Sequence, residues 1–350
     1  SLKPGVTGDF LRKNLLESRV ASFQTTYELG SGDHGAETLG YHFAAKQVDQ
    51  AILKTLAELA DEAQLTDKFA ALAGGAWMNT GEKRMVLHHL TRGQLGAAVV
   101  HEEADLGAFY AEQRKRITEF SLGVHAGNIT GSTGQAFTTV VQVGIGGSDL
   151  GPRALYLALK GYVDASVHEG LRGRGQRLEA RFMSNVDPDD PADVLKGLDA
   201  ERTLFILVSK SGTTQETLTN EAFVLEYLKN AGIKAAKKHI VCVTSETSPL
   251  AKSTEYLDSF FIDDFIGGRF SSTSACGGVV LSLAFGADVF AEVLAGAHAV
   301  DRQRSGFHQR QGVDAQEHAQ PDEQGWGNQA VAIGLEHQGG RQPRMSRCCG

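Results

Sequence analysis

A chain of 350 residues has room for about two domains and a substantial core. Its 41% hydrophobic and 22% charged content is that of an ordinary soluble globular protein. A formal net charge of −8 sets nucleic acid aside as the main partner, because binding a phosphate backbone needs a broad basic surface. No run is apolar enough for a signal peptide or a membrane span. The cysteines are Cys242, Cys276 and the adjacent Cys348 and Cys349. They make no zinc or redox spacing and fit a reducing cytoplasm. Ser1 stands where an initiator methionine would, so the start reads as trimmed.

Taken in order, residues 40–65 place Phe43, Val48, Ile52, Leu53, Leu56 and Leu59 largely on one face, which predicts a helix. Asn79 and Glu82 have capping-box spacing, so a second helix is expected to start there and run past Leu90. On it His88 and His89 fall on different faces, which speaks for packed or solvated histidines and against a shared metal. A third helix is predicted over residues 102–122. Residues 1–122 therefore read as a helical N-terminal region, bounded by the Gly-, Ser- and Thr-rich stretch 123–134.

Beyond that boundary strands and helices alternate. Strands are predicted at 139–143, 179–185, 204–208, 239–244 and 260–262. Helices are predicted from Pro152 on and at 188–198, 215–230, 248–256 and 278–285. This is the pattern of an α/β fold with a doubly wound parallel sheet, in which ligands bind at the carboxyl ends of strands. Gly144-Ile145-Gly146-Gly147-Ser148 follows the first of these strands. A dinucleotide fingerprint would need glycine where Asp149 stands, so a nicotinamide oxidoreductase is the weaker reading. A loop whose backbone approaches a sugar phosphate is expected instead.

The chain's most informative stretch is 204–217. Leu204-Phe205-Ile206-Leu207-Val208 reads as a strand buried on both faces. The loop Ser209-Lys210-Ser211-Gly212-Thr213-Thr214 follows, and Thr213 with Glu216 fits a capping box for the next helix. A cap needs one hydroxyl, whereas this loop offers four beside an ammonium and the positive end of a helix dipole. That combination suits a phosphate or a similar dianion. Further on, Gly267-Gly268-Arg269 would let backbone come close to a ligand while projecting a permanent cation.

Three of these stretches together resemble the glucose-6-phosphate isomerase (phosphoglucose isomerase) family. They are residues 143–152, residues 208–217 and Gly267-Gly268-Arg269-Phe270-Ser271. Gly81-Glu82-Lys83-Arg84-Met85-Val86-Leu87-His88 resembles the family's N-terminal signature. Gly296-Ala297-His298 and Asp301 resemble the segment after its first sugar-isomerase domain. The resemblance runs from about residue 10 to Asp301 and implies a sugar-isomerase (SIS-type) domain over 123–301. It implies that Ser209, Lys210, Ser211, Gly212, Thr213 and Thr214 grip the phosphate of a hexose. Gly147 and Ser148 would contact the sugar, and Arg269 would face the reacting carbons. The implied reaction, part of glycolysis and gluconeogenesis, interconverts glucose 6-phosphate and fructose 6-phosphate. A carboxylate base moves a proton between C2 and C1 through a cis-enediolate, with no metal or organic cofactor. A cytoplasmic homodimer acting on a hexose 6-phosphate, apart from membrane and nucleic acid, is the implied setting.

Residues 302–350 change character, with nine glutamines and no lysine. The base glutamate, the histidine and the C-terminal lysine of the family match nothing here, and Glu317, Glu323, Glu336, His318 and His337 stand in no family-like context. The expectation is a truncated or frame-shifted continuation, with a genuine polar, disordered tail as the alternative. A chain of this make-up is expected to be inactive as an isomerase. A non-catalytic sugar-phosphate-binding SIS module is the other function it would suit.

Overall fold

The computed structural model describes residues 19–20, 22–32, 35–164 and 177–305. Residues 66–305 form one compact unit, and the residues ahead of them belong to another. In that earlier unit, β1 (Gln24–Gly32) pairs antiparallel with β2 (Gly35–His42). The helix expected from residue 40 therefore starts late: Gly40 and Tyr41 are still paired with Thr26 and Thr25. Helix α1 (Gln50–Glu62) begins after Asp49, whose side chain accepts the Ile52 N–H at 2.9 Å.

The main unit begins within α2 (Leu65–Ala73). The helix expected from Asn79 does not form. Asn79 Oδ1 does accept the Glu82 N–H at 3.1 Å, as a cap would. Asn79 and Arg84 then exchange both backbone hydrogen bonds at 3.1 Å, closing a tight turn through Lys83 at φ 50°. Only a short 3-10 turn, His88–Thr91, comes after it. The small ladder of β3 (Val100–His101) and β4 (Ala104–Asp105) leads into α3 (Leu106–His125). Asp105 caps that helix by accepting the Gly107 and Ala108 N–H groups.

Among the described residues the central sheet has β5 (Thr139–Val143), β6 (Glu179–Met183), β7 (Thr203–Val208), β8 (Ile240–Thr244) and β9 (Asp258–Phe261). They lie in the order β6-β5-β7-β8-β9, and every pairing is parallel. The connecting helices are α4 (Leu150–Asp164), α5 (Asp189–Leu195) and α6 (Gln215–Asn230), and α7 (Ala275–Phe285) and α8 (Ala287–Ser305) follow β9. The helix expected at 248–256 shrinks to a 3-10 turn, Leu250–Lys252. Ser248 and Ser253 hydroxyls accept the Ala251 and Glu255 N–H groups there, and such side-chain bonds compete with a helical ladder.

Alternate residues of each strand feed the two faces, as a pleated strand requires. Val140, Leu204, Ile206, Val241, Val243 and Phe260 join a core built with α3, α4, α7 and α8. Val141, Phe205, Leu207, Ile240 and Cys242 face α5 and α6. Every residue of β7 and of α7 is buried, which is why both read as unbroken apolar runs. From β5 the chain passes to β6 on one side and then crosses to β7 on the other. The crevice of such a sheet opens where that order reverses, at the carboxyl ends of β5 and β7. Of the polar tail expected over 302–350, residues 302–305 continue α8, and the rest, with Cys348 and Cys349, lies outside the described residues.

Packing of α7 under the loops makes a stability prediction. A methyl group at Gly277 would overlap the Ser272 carbonyl, whereas one at Gly161 on α4 meets no atom within 4 Å. Gly277→Ala is expected to cost about 1–3 kcal/mol through overpacking. Gly161→Ala should gain about 0.5–1 kcal/mol from helix propensity. Urea denaturation of the two variants checks the opposite signs.

Candidate functional site

The glycine loop leaves β5 at Gly144, whose N–H donates to the Met183 carbonyl at 3.1 Å. Gly146 takes a left-handed conformation at φ 59°, which starts the 3-10 turn Gly146–Ser148. Gln142, 1% exposed, donates through Nε2 to the Ser148 carbonyl at 2.6 Å and so fixes the turn from below. A side chain at Gly147 would overlap the Gly268 carbonyl and crowd the Arg269 N–H. Ser271 Oγ sits within hydrogen-bond reach of both the Gly147 and the Gly268 carbonyls, at 3.3 and 2.7 Å. Two of the stretches singled out in the sequence thus meet backbone to backbone.

The hydroxyl loop leaves β7, held by the Ser209 N–H on the Val243 carbonyl and by Thr244 Oγ1 on the Ser209 carbonyl at 2.7 Å. The capping box expected at Thr213 is absent, because Thr214 is the N-cap of α6 and makes no side-chain cap. Its oxygen is already occupied, accepting from buried Ser209 Oγ at 3.0 Å. Ser211 Oγ similarly accepts the Thr213 N–H at 3.2 Å and the Thr213 hydroxyl at 3.0 Å. No acceptor among the described residues takes the hydroxyl protons of Thr214 and Ser211. Gly212 is buried, its N–H on the Ser209 carbonyl at 3.1 Å. The first turn of α6 therefore keeps its amides without a side-chain cap beside two hydroxyl donors, an arrangement chemically suited to an anion.

A cation ties the hydroxyl loop to the segment that leads to Arg269. Lys210 Nζ donates to the carbonyls of Asp264 and Ile266 at 3.2 and 3.1 Å. Burial, with Arg84 nearby, lowers the Lys210 pKa. Arg84 Nη1 donates to the same Asp264 carbonyl at 3.1 Å. Lys210 is thus engaged with the segment that carries Arg269. Arg269 itself is exposed, and among the described residues its guanidinium has no hydrogen-bond or ion-pair partner. Asp149 is buried and paired with Arg153, which also reaches Ser184 Oγ at 2.7 Å.

His88, expected to be a packed or solvated residue, borders the site. Its Nε2 accepts the Gly267 N–H at 3.3 Å, and its ring meets Phe270 edge to face at 5.5 Å. Burial, then the charge of Arg92, lower its pKa from 6.5 to about 4, so it is a neutral acceptor near pH 7. Sequence reading also missed Arg84 and Gln142. The signal for the first two was position, since both stand in the stretch quoted as the family's N-terminal signature. Gln142 gave only a polar interruption in an apolar strand. Among the described residues no group of three or more His, Cys, Asp or Glu could hold a metal ion. Cys242 and Cys276 are buried free thiols.

Comparison with known proteins bears on what these loops do. The model of the family described as phosphoglucose isomerase matches residues 42–311. A Treponema pallidum protein named glucose-6-phosphate isomerase is 55% identical over 268 residues, covering 75% of this chain and 49% of that one. A Borreliella burgdorferi protein of the same name is 40% identical over 300 residues, covering 85% of this chain and 54% of that one. The chain spans about half the length of the curated relatives it matches. The crystal structure of a glucose-6-phosphate isomerase from Chlamydia trachomatis superposes with a TM-score of 0.69 at 33% identity. That superposition covers 86% of this chain and 57% of that one.

The depressed pKa of His88 has a defined sign in stability. Between about pH 6.5 and 4 the unfolded chain binds the proton that the folded one refuses, so stability falls as pH drops through that window. Burial likewise lowers His89, His239 and His298, adding to the same trend. Urea midpoints at pH 7.5 and 4.5 should differ less in His88→Gln, which keeps an acceptor but no longer titrates. The difference expected is on the order of 1–2 kcal/mol after allowance for solvent screening. Equal losses in both proteins would remove His88 from the effect.

Proposed function

The chain belongs to the phosphoglucose isomerase family, and we propose that it carries the sugar-phosphate-binding part of an enzyme interconverting glucose 6-phosphate and fructose 6-phosphate. The observation that carries this reading is the hydroxyl loop. It offers free hydroxyl protons at Ser211 and Thr214 and uncapped amides at the start of α6, beside the meeting point of the Gly147 and Gly268 loops.

In this proposal residues 209–214 hold the phosphate, with Ser209 and Gly212 shaping the loop from within. Ser211, Thr213 and Thr214 face outward, and Lys210 braces the loop against Ile266 while adding positive charge. Gly147 and Ser148 border the sugar. Arg269 faces the reacting carbons, where an unpartnered guanidinium stabilises the oxyanion of a cis-enediolate. The remote phosphate anchors the hexose, so its binding energy orients the far end of the substrate. Among the described residues we assign no base to the proton transfer.

The setting proposed is cytoplasmic, and the relatives' names suggest a glycolytic or gluconeogenic reaction. Buried free thiols suit a reducing compartment, and a net charge of −8 speaks against nucleic acid. No described helix is long and apolar enough to cross a membrane. A homodimer is carried over from the family resemblance.

Isothermal titration of the chain with glucose 6-phosphate, and with glucose as the neutral control, tests the phosphate assignment. Thr214→Val should weaken the phosphorylated sugar roughly tenfold, as expected for one lost hydrogen bond to a charged group. Glucose should be unaffected. Equal losses for both ligands, or none for either, would contradict the assignment.

A further inference from the structure

One stretch singled out in the sequence, Gly296-Ala297-His298 and Asp301, lies on α8 and takes no part in the site described above. Asp301 is gripped by Arg92 through both carboxylate oxygens, Nε to Oδ2 at 2.5 Å and Nη2 to Oδ1 at 3.1 Å. The two side chains are 17% and 16% exposed, so the pair is largely shielded from water. Such a pair fixes geometry even where its net stability is small.

The remaining Arg92 nitrogen, Nη1, donates to Thr273 Oγ1 at 3.4 Å. Thr91 and Thr273 hydroxyls are 2.7 Å apart. Thr91 spends its own proton on the His88 carbonyl at 2.7 Å, so Thr273 must be the donor between the two threonines. The result is a directed chain: Asp301 orients Arg92, Arg92 donates to Thr273, Thr273 to Thr91, and Thr91 to His88. Arg114 Nη1 holds the Thr91 carbonyl at 3.0 Å and keeps that end still.

Thr273 ends the short segment Gly268–Thr273, two 3-10 turns joined at a kink at Phe270 (φ −120°, ψ 18°), and Arg269 stands just before that kink. The start of this segment is tied by the Gly267 N–H to His88 and by the carbonyls that Lys210 and Arg84 hold. Among the described residues its end is tied through the chain just described, through Ser271 to the Gly147 carbonyl and through Ser274, the N-cap of α7. We propose that Thr273, held by Thr91 and by the Arg92–Asp301 pair, is a positioning residue that sets where the Arg269 guanidinium meets the substrate. The inference rests on the reading of Arg269 given above. It adds α8 as the element from which that cation is aimed.

The test compares two ligands that share a phosphate and differ at C1. A hexonate 6-phosphate carries a carboxylate where the enediolate charge would develop, and a hexitol 6-phosphate carries a neutral hydroxyl. In titrations of the full chain the wild type should prefer the hexonate, and Arg269→Ala should abolish the preference. Thr273→Val, nearly isosteric but unable to hydrogen-bond, should reduce the preference roughly three- to tenfold. It should leave affinity for the hexitol within about twofold, and Thr273→Ser should restore the preference. A Thr273→Val protein with undiminished preference, or with both ligands equally weakened, would overturn the inference. Wild-type protein that binds neither ligand, or shows no preference for Arg269→Ala to remove, would overturn the proposed site and the inference together.

Discussion

At Gly147 two loops from different strands meet with no room for a side chain on the glycine loop. The glycine loop after β5 rests its backbone on the Gly268 carbonyl, and Ser271 reaches carbonyls of both. Because that contact is between backbones, it fixes the loops with little freedom to relax, and interiors packed at this density resist even one added methyl group. The position of Arg269, one residue beyond Gly268, follows from it. So does the position of Ser148, which Gln142 holds from within the sheet. The sheet contributes the rest: its order reverses between β5 and β7, so the glycine loop and the hydroxyl loop are neighbours at the crevice.

Charge in the site is divided between bracing and display. Lys210 and Arg84 converge on carbonyls of the 264–266 segment, and Arg153 is paired with Asp149. These cations shape the walls and raise the local potential. Arg269 alone among the residues assigned to the site is an exposed cation without a partner in the described residues. His88, kept neutral by burial and by Arg92, can accept the Gly267 N–H without adding a further positive charge beside them. A dianionic ligand entering such a crevice meets donors at one end and a free guanidinium at the other.

Much of the sheet was legible in the sequence because its strands are buried on both faces. Runs such as 204–208 and 240–244 leave no other interpretation than a central parallel strand. Ser209–Thr214, Gly147 and Gly268-Arg269 were legible as loops for a different reason, since glycines and hydroxyls there break the apolar runs. What failed was local. The spacing of Asn79 and Glu82 promised a helix, yet the same hydrogen bond serves a turn when Arg84 pairs back on Asn79. Thr213 promised a cap, but tertiary geometry gave the position to Thr214 and its oxygen to Ser209. His88 could not be placed, because its role comes from a contact with Gly267, 179 positions away in the chain.

The site depends most on the close approach at Gly147, and the most direct test of this is calorimetric titration of Gly147→Ala with glucose 6-phosphate and with inorganic phosphate. The added methyl group should push the Gly268 turn away while the hydroxyl loop stays in place. Affinity for the sugar phosphate is then expected to fall by roughly tenfold or more, with affinity for inorganic phosphate unchanged. Wild-type affinity for glucose 6-phosphate in a folded Gly147→Ala protein would show that the backbone contact does not organise the site.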